Sequence, residues 1–257
     1  MKPTPVLLAL ETSGKSGSVA ILREQNGVLA CDIEWLSIES GSAKTLAPAI
    51  ARLMAKNEIQ MESLIAVALL TGPGSFTGLR VGVATAKAMA YALRIPTVEI
   101  DTLDVVAWQC PVVSSSVYAI IDAYRGQVFA AQYSIKTTGA SPELEKISGT
   151  EILDIDVLLH RASKHDSRIQ TIDFCGPGCD RIRRFLANPE SGCPEIPVDV
   201  QCRIRWIDGS ATVPSAATVA RLGYSKFLNG EAIDPFVIQP KYYRGSAAEE
   251  VAAKAKP

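Results

Sequence analysis

The stretch V-A-L-L-T-G-P-G-S-F-T-G-L-R-V-G-V-A-T-A-K-A-M-A-Y-A-L, residues 67–93, decides how the rest of the chain is interpreted. It predicts a buried strand, a glycine-rich turn and a helix, because the aliphatic run Leu64–Leu70 is followed by three glycines and then by helical spacing. The helix is apolar on nearly every side, with Arg80 and Lys87 as its charges before Leu93. A surface helix would carry a continuous polar face. We therefore expect one face of this helix to meet a sheet and another to meet a second surface.

Patterns on both sides of this stretch predict two lobes. The first series reads β-β-β-α-β-α-β, with a helix over Ser42–Lys56, and a second series begins near Val112 with another hairpin. We expect an α/β architecture of mixed sheets flanked by helices. Residues 1–110 would form an N-terminal lobe and residues 111–245 a C-terminal lobe.

The C-terminal lobe is less regular in its pattern. The polar segment Lys136–Gly149 is interpreted as a loop, and the proline-rich segment Asn188–Gln201 as an irregular connection. A clear helix over residues 215–229 is expected to pack back on the N-terminal lobe. The Ala- and Lys-rich tail, residues 246–257, is expected to fray.

Composition limits the classes of function. The 26 basic and 27 acidic residues among 257 leave a formal charge of −1, so the whole chain has no electrostatic attraction to nucleic acid. No signal peptide and no membrane-spanning run is recognised, and the six cysteines form no C-x-x-C pair. This pattern favours reduced thiols and a cytoplasmic location.

Four motifs resemble one family. They are T-G-P-G-S-F-T-G-L-R-V-G at 71–82, L-A-L-E-T-S at 8–13, I-D-A-Y-R-G-Q-V-F at 121–129 and P-K-Y-Y-R at 240–244. Together they resemble TsaB, also called YeaZ, the dimerisation subunit of the bacterial machinery for tRNA threonylcarbamoyladenosine. The first motif is the specific one, and the other three are short.

The resemblance implies a two-lobed fold of the actin/hexokinase/Hsp70-like (ASKHA) ATPase class and a role without catalysis. The chain would dimerise with the transferase TsaD and support it in tRNA modification, and a TsaE-type ATPase would join a larger complex. Alone, the chain would form a homodimer. The tRNA would be engaged indirectly, through the partner. The alternative is an enzyme of the same fold, an ATP-dependent kinase or transferase.

The expected partner surface lies on the two N-terminal helices. Their aliphatic side chains would otherwise stay in water, and burial of each one contributes roughly 1.5–3 kcal/mol of free energy. Two helices from each protein would form a four-helix contact. The predicted interface residues are Leu46, Ile50, Leu53, Leu79, Val83, Ala86, Lys87 and Ala90.

No catalytic residue and no metal ligand is predicted. TsaD-type relatives bind a metal through an H-x-x-x-H helix, whereas the corresponding helix here, at residues 42–56, contains no histidine. The two histidines of the chain, His160 and His165, lack neighbouring ligands at metal-binding spacing. A serine nucleophile is equally disfavoured, because residues 74–78 read G-S-F-T-G and not G-x-S-x-G. A metallopeptidase is therefore disfavoured.

The sequence patterns leave nucleotide binding as an alternative. The glycine-rich turn lacks the lysine of a P-loop, so its glycines are interpreted as packing positions. In nucleotide-binding proteins of this fold, two hairpins and a later glycine loop hold the phosphates, and Glu11 stands where active members carry an Asp. By that resemblance the candidate nucleotide or anion ligands are Thr12, Ser13, Gly14, Asp122, Gly176 and Gly178. ATP or ADP could bind there, although no cofactor is required by the predicted role.

The densest basic region is in the C-terminal lobe. It comprises Arg181, Arg183, Arg184, Arg203 and Arg205. A solvated helix face is the favoured interpretation, and contact with an RNA backbone is the alternative.

Overall fold

The computed structural model describes residues 5–39, 41–111, 116–136, 143–164, 171–187, 203–208 and 213–244. The N-terminal half forms a five-stranded sheet in the order β3-β2-β1-β4-β5. Its strands are β1 (Val6–Glu11), β2 (Ser18–Gln25), β3 (Val28–Trp35), β4 (Leu64–Gly72) and β5 (Thr97–Asp101). The first three strands are antiparallel, and β4 and β5 run parallel to β1. The helices of this half are α1 (Ser42–Lys56), α2 (Phe76–Leu93) and α3 (Thr102–Gln109).

A second sheet forms from the later strands in the order β11-β10-β6-β7-β8, with β9 also paired to β7. Its strands are β6 (Ser116–Asp122), β7 (Gln127–Lys136), β8 (Glu143–Lys146), β9 (Glu151–Asp154), β10 (Ile172–Cys175) and β11 (Ile204–Ile207). Helices α4 (Ile155–Ser163) and α5 (Cys179–Leu186) pack on it. Each sheet thus starts from a hairpin and extends through parallel strands.

The first sheet is covered on both faces. On one face, alternate side chains of β1 and β2 pack with α1 and α2. On the other face, the intervening side chains of the same strands pack with helix α6 (Ala216–Leu228) and with Val105 of α3. Gly223 lets α6 approach closely, because an added Cβ would overlap that of Ala68 on β4. The last described helix therefore returns to the first sheet.

A C-terminal segment, residues 229–244, follows α6 along the first lobe. Ile233 forms an isolated bridge with Thr97, and the Lys241 N–H donates to the Thr71 carbonyl at 2.7 Å. Between the lobes, α3 packs against β6, β7 and β10 in a separate apolar cluster that includes Val106 and Tyr133.

The structure corrects part of the sequence interpretation. The segment predicted as a loop, Lys136–Gly149, contains strand β8, and strands β9 and β11 were not predicted. These strands are four residues long, so hydrophobic periodicity reveals them poorly. The whole segment predicted as an irregular connection, and the whole tail predicted to fray, lie outside the described residues.

Candidate functional site

The turn between β4 and α2 packs directly onto the turn between β1 and β2. Ser75 caps α2, its Oγ accepting the Gly78 N–H at 3.2 Å, and its own N–H donates to the Ser13 carbonyl at 2.7 Å. An added Cβ at Gly78 would overlap the carbonyl oxygen of Thr12, and one at Gly82 would overlap the Thr12 hydroxyl. The glycines are therefore packing positions, as interpreted from the sequence.

This packing covers part of the N-terminal hairpin. Thr12 and Ser13, two of the predicted nucleotide ligands, are 1% and 6% exposed. Gly14, the third, is exposed at the tip of the turn. Thr12 and Ser13 thus have little surface through which to bind an anion, and nucleotide binding at this hairpin stays a prediction.

Glu11 is the buried carboxyl group at this junction. Its Oε1 accepts both the N–H and the hydroxyl of Ser13 at 2.7 Å, whereas Oε2 has no hydrogen-bond partner. Burial raises the pKa of Glu11 to about 7, with the two Ser13 hydrogen bonds acting in the opposite direction. A carboxyl group that is largely protonated below neutral pH is a poor cation ligand.

The glycine loop of the C-terminal lobe is closed in a similar way. Gly176 has a φ of +111°, and a Cβ there would overlap the Ile120 carbonyl oxygen. A Cβ at Gly178 would lie 2.7–2.9 Å from atoms of β6. Asp122 Oδ1 accepts the backbone N–H of Tyr124 at 2.7 Å and so stabilises the hairpin turn. Five of the six predicted nucleotide ligands have packing or hydrogen-bonding roles within the fold, and nucleotide binding by these residues stays a prediction.

In the part of the chain that the structure describes, no three His, Cys, Asp or Glu side chains converge on a point that could hold a metal ion. His160 is exposed on α4, and His165 lies outside the described residues. Cys175 and Cys179 are buried free thiols.

The predicted interface residues are placed differently from what was expected. Seven of the eight are at most 5% exposed within the lobe itself: Leu46, Ile50, Leu53, Leu79, Val83, Ala86 and Ala90. They fill the two apolar layers on the first sheet and cannot contact a partner without unfolding the lobe. Lys87 is half-buried at the surface, where its Nζ donates to the Phe236 carbonyl. The aliphatic side chains of these helices thus form core, which corrects the prediction.

Besides larger side chains such as Arg52 and Arg80, α1 and α2 expose a set of small residues. Its members are Ala47, Ala51 and Ala55 on α1 and Thr77, Ala84 and Ala88 on α2. They recur every four residues on α1 and at intervals of seven and four residues on α2, which places them in stripes, and such stripes allow another helix to approach closely. We call this the α1–α2 surface.

Beside that surface, the P-K-Y-Y-R motif joins the lobes. The Tyr242 ring lies 4.7 Å from that of Phe76, and its hydroxyl accepts Arg80 Nε at 2.8 Å. The Tyr243 hydroxyl donates to Asp101 Oδ2 at 3.3 Å, and Arg244 binds the Ala123 carbonyl at 2.8 Å. Sequence reasoning recognised this motif without finding its structural role, because its partners lie more than 100 residues away.

Two arginines of the basic region in the C-terminal lobe are paired with carboxylates. Arg205 forms two hydrogen bonds of 2.6–2.7 Å with the fully buried carboxylate of Asp173. Arg183 pairs with Asp180 at 3.1 Å and with Asp208 at 2.8 Å. The proximity of Asp208 raises the pKa of Arg183 further above its usual value. These pairs support the interpretation as a solvated, internally balanced face.

The chain and its fold are similar to known proteins. A family model described as TsaD, tRNA N6-adenosine threonylcarbamoyltransferase, matches residues 39–189, more than half of the chain. The chain is 28% identical to the Escherichia coli tRNA threonylcarbamoyladenosine biosynthesis protein TsaB over 247 residues, which cover 94% of this chain and 96% of that protein. The chain belongs to the TsaB (YeaZ) family. The resemblance identified from the four motifs is confirmed.

Other TsaB relatives agree over shorter regions. Bacillus subtilis TsaB is 33% identical over 130 residues, 51% of this chain and 56% of that protein. The chain thus spans just over half the length of that relative. Among solved structures, YeaZ from Pseudomonas aeruginosa has a TM-score of 0.71 at 23% identity, covering 93% of this chain and 99% of that one. A second structure, of an uncharacterized protein with similarity to peptidase YeaZ from the same organism, has a TM-score of 0.73 at 24% identity, covering 93% of this chain and 100% of that one.

These likenesses confirm the predicted fold class. The TsaB family member described here has the two-lobed, actin-like ATPase fold, with mixed sheets flanked by helices. In the described part of the chain, no helix has the length and apolarity needed to cross a bilayer.

Proposed function

We propose that this chain is a non-catalytic partner subunit in tRNA threonylcarbamoyladenosine biosynthesis, and that it supports a TsaD homologue by binding it through the α1–α2 surface. The proposal is supported by the names of the TsaB relatives. The observation that carries it is the exposure of Ala47, Ala51, Ala84 and Ala88 on two neighbouring helices. A surface of small side chains suits helix-to-helix packing, since no large side chain there holds the two helix backbones apart.

The absence of catalysis is supported by the packing of the phosphate-binding loops. Gly78 and Gly82 bring α2 against Thr12, and Gly176 lies against the Ile120 carbonyl. No cofactor is required in this proposal. A TsaE-type ATPase would join the complex of the two proteins, the tRNA would be bound mainly through the partner, and the same α1–α2 surface would form a homodimer when the chain is alone.

The test is co-purification of a co-expressed TsaD homologue with two surface variants, Ala84→Arg and Ala88→Arg. Both positions are exposed, so the fold should persist while the added side chain holds the helices apart. Ala187→Arg, at an exposed position of the C-terminal lobe, is the matched control. Charges at Val83 or Ala86 would not serve, because both side chains are buried and the lobe itself would be destabilised. Retention of the partner by both variants would refute the surface.

The second candidate is an ATP-dependent kinase or transferase of the same fold. Calorimetric titration of the isolated chain with ATP and with ADP separates the two functions. Micromolar affinity together with turnover would overturn the non-catalytic proposal. An absence of heat at millimolar nucleotide is expected from the closed loops.

A further inference from the structure

A row of aromatic and basic side chains runs beside the α1–α2 surface. On α2 and its C-cap it consists of Phe76, Arg80, Lys87, Tyr91 and Arg94; the C-terminal segment adds Phe236 and Tyr242. We call these seven residues the aromatic–basic ridge. The helical positions differ by 4, 7, 4 and 3 residues, which places them on one side of α2. With a rise of 1.5 Å per residue, the ridge is about 27 Å long.

The rings on the ridge are exposed. Tyr91 and Phe236 are 65% and 67% exposed, and their centroids lie 5.2 Å apart in an edge-to-face arrangement. At the other end, the rings of Phe76 and Tyr242 lie 4.7 Å apart. The Arg80 guanidinium carbon lies 3.9 Å from the Phe76 ring centroid. The ridge therefore presents two aromatic platforms, one near each end of α2.

The charges on the ridge have one sign. Residues 64–98 contain no Asp or Glu, and their three cations are Arg80, Lys87 and Arg94. Among the described residues none of these three forms an ion pair, whereas Arg183 and Arg205 of the C-terminal lobe do. Lys87 donates to a backbone carbonyl and Arg80 to a phenol, so the charge of each remains uncompensated.

A recess of about 540 Å³ opens at the Tyr91 end of the ridge. It is lined by the two rings, by Arg94 and by Pro96 and Asp234. Asp234 Oδ1 accepts the Phe236 N–H at 2.7 Å. A cavity of this size with aromatic walls, a cation and a carboxylate suits a flat heterocycle that bears an amino group and carries a phosphate.

We propose that the aromatic–basic ridge binds single-stranded RNA, with one unstacked base in the recess against Tyr91 and Phe236 and the backbone phosphates along Arg80, Lys87 and Arg94. Single-strand sites combine these two elements, a line of cations for the phosphates and aromatic faces for the bases. Complementary charge favours RNA over a protein segment, since α2 and its C-cap offer three cations and no acid. This goes beyond the proposed function, in which the partner engages the tRNA, and binding to the isolated chain does not depend on that function.

The test is fluorescence anisotropy of the full isolated chain with a labelled oligoadenylate of about 12 nucleotides, within the range of known single-strand sites. Raising the salt from about 50 to 200 mM should weaken binding about 10- to 20-fold if three phosphates are contacted. Tyr91→Ala and Phe236→Ala should each weaken it about 5- to 100-fold, the effect of losing one stacked base. Tyr91→Phe should keep the wild-type affinity, because it keeps the ring.

Charge variants separate this ridge from the other basic region. Arg94→Gln should lower the affinity and reduce the salt dependence by about one phosphate contact. Arg184→Gln, which removes the same charge from α5, should change neither the RNA affinity nor its salt dependence. The thermal midpoint of each variant serves as a fold control.

Several outcomes would overturn the proposal. A lack of binding at low salt would overturn it, and so would an equal loss of RNA affinity in Arg184→Gln. Equal binding of a duplex RNA would also overturn it if Tyr91→Ala leaves the affinity unchanged. A Tyr91→Ala variant that loses the TsaD homologue but keeps its RNA affinity would identify the ridge as a protein-docking surface instead. Failure here is distinguishable from failure of the proposed function, which is measured by co-purification of the Ala84→Arg and Ala88→Arg variants.

Discussion

Gly78 of α2 rests against the carbonyl oxygen of Thr12 on the first hairpin, with no room for a Cβ between them. The contact is between two backbones, so neither side can move by changing a rotamer. It holds the glycine-rich turn onto β1 and leaves Thr12 buried. One close approach therefore fixes the packing of the glycine-rich turn on the first hairpin.

Gly78→Ala should destabilise the chain by about 3 kcal/mol, the upper end of the cost of overpacking, because backbone atoms must shift. Chemical denaturation monitored by circular dichroism would measure the difference. Gly149→Ala is the matched control, since nothing lies within 4 Å of an added Cβ there. A Gly78→Ala variant as stable as the control would show that the turn can relax.

Glu11→Gln should change how stability depends on pH. The folded pKa of Glu11 is about 7 against an ordinary value of 4.5, so the folded state holds a proton that the unfolded chain releases. Stability from this group is present below about pH 4.5 and is lost as pH rises through 7, by about 3 kcal/mol in total. The glutamine variant should lack that decline.

Thermal unfolding of both proteins between about pH 5 and 8 measures the effect. Glu62→Gln, at an exposed position, should retain the wild-type decline. Parallel pH curves for the wild type and Glu11→Gln would mean that the carboxyl group is ionised in the fold.

Asp101→Ala should loosen the contact between the lobes. Asp101 Oδ1 caps α3 through the Leu103 N–H, and Oδ2 accepts the hydroxyl of Thr150 at 2.7 Å and lies 3.3 Å from Lys146 Nζ. Loss of the cap and of the charge-assisted bonds should cost about 3 kcal/mol. Asp101→Asn should cost less, because an amide oxygen still caps the helix. Denaturant midpoints measure the two losses of stability. If they are equal, the whole effect comes from the charge of Asp101.

Arg205→Gln should cost about 3–5 kcal/mol, because it leaves the fully buried carboxylate of Asp173 without its partner. The double variant Asp173→Asn with Arg205→Gln should recover much of that loss. Arg184→Gln, on the same face, should leave the free energy of unfolding unchanged. Comparison of the unfolding curves tests whether Arg205 stabilises the fold. If Arg205→Gln costs little stability, Arg205 would again be a candidate for contact with RNA.

Local patterns were informative where strands and helices are long and their ends carry capping residues. The strand, turn and helix around Gly72–Leu93 were predicted from residue order, and the structure adds that Ser75, Asp101 and Ser215 cap helices α2, α3 and α6. Hydrogen bonds within three residues produce these caps, so the chain needs no distant partner to form them. Short strands such as β8 and β9 were not predicted, because their pairing with β7 provides their stability.

The location of the partner surface on α1 and α2 stays a prediction, but the side chains predicted to form it are mostly core. Composition showed that α2 is apolar on most sides, but it could not tell which side the sheet, α1 and the C-terminal segment would cover. The structure places Val83 and Ala86 in the core and leaves Ala84 and Ala88 outside. Adjacent positions on a helix face different directions, so a shift of one residue separates core from surface.

The sequence by itself determined the family, the order of the main elements and the missing P-loop and metal-binding patterns, since these depend on residue identity and spacing alone. The tertiary structure decided that Gly78 packs against Thr12, and it decided which residues of α1 and α2 remain exposed. It also brought Tyr91 beside Phe236 and Arg80 beside Tyr242. These contacts join residues 66 to 162 positions apart, and only the folded chain can bring such residues together.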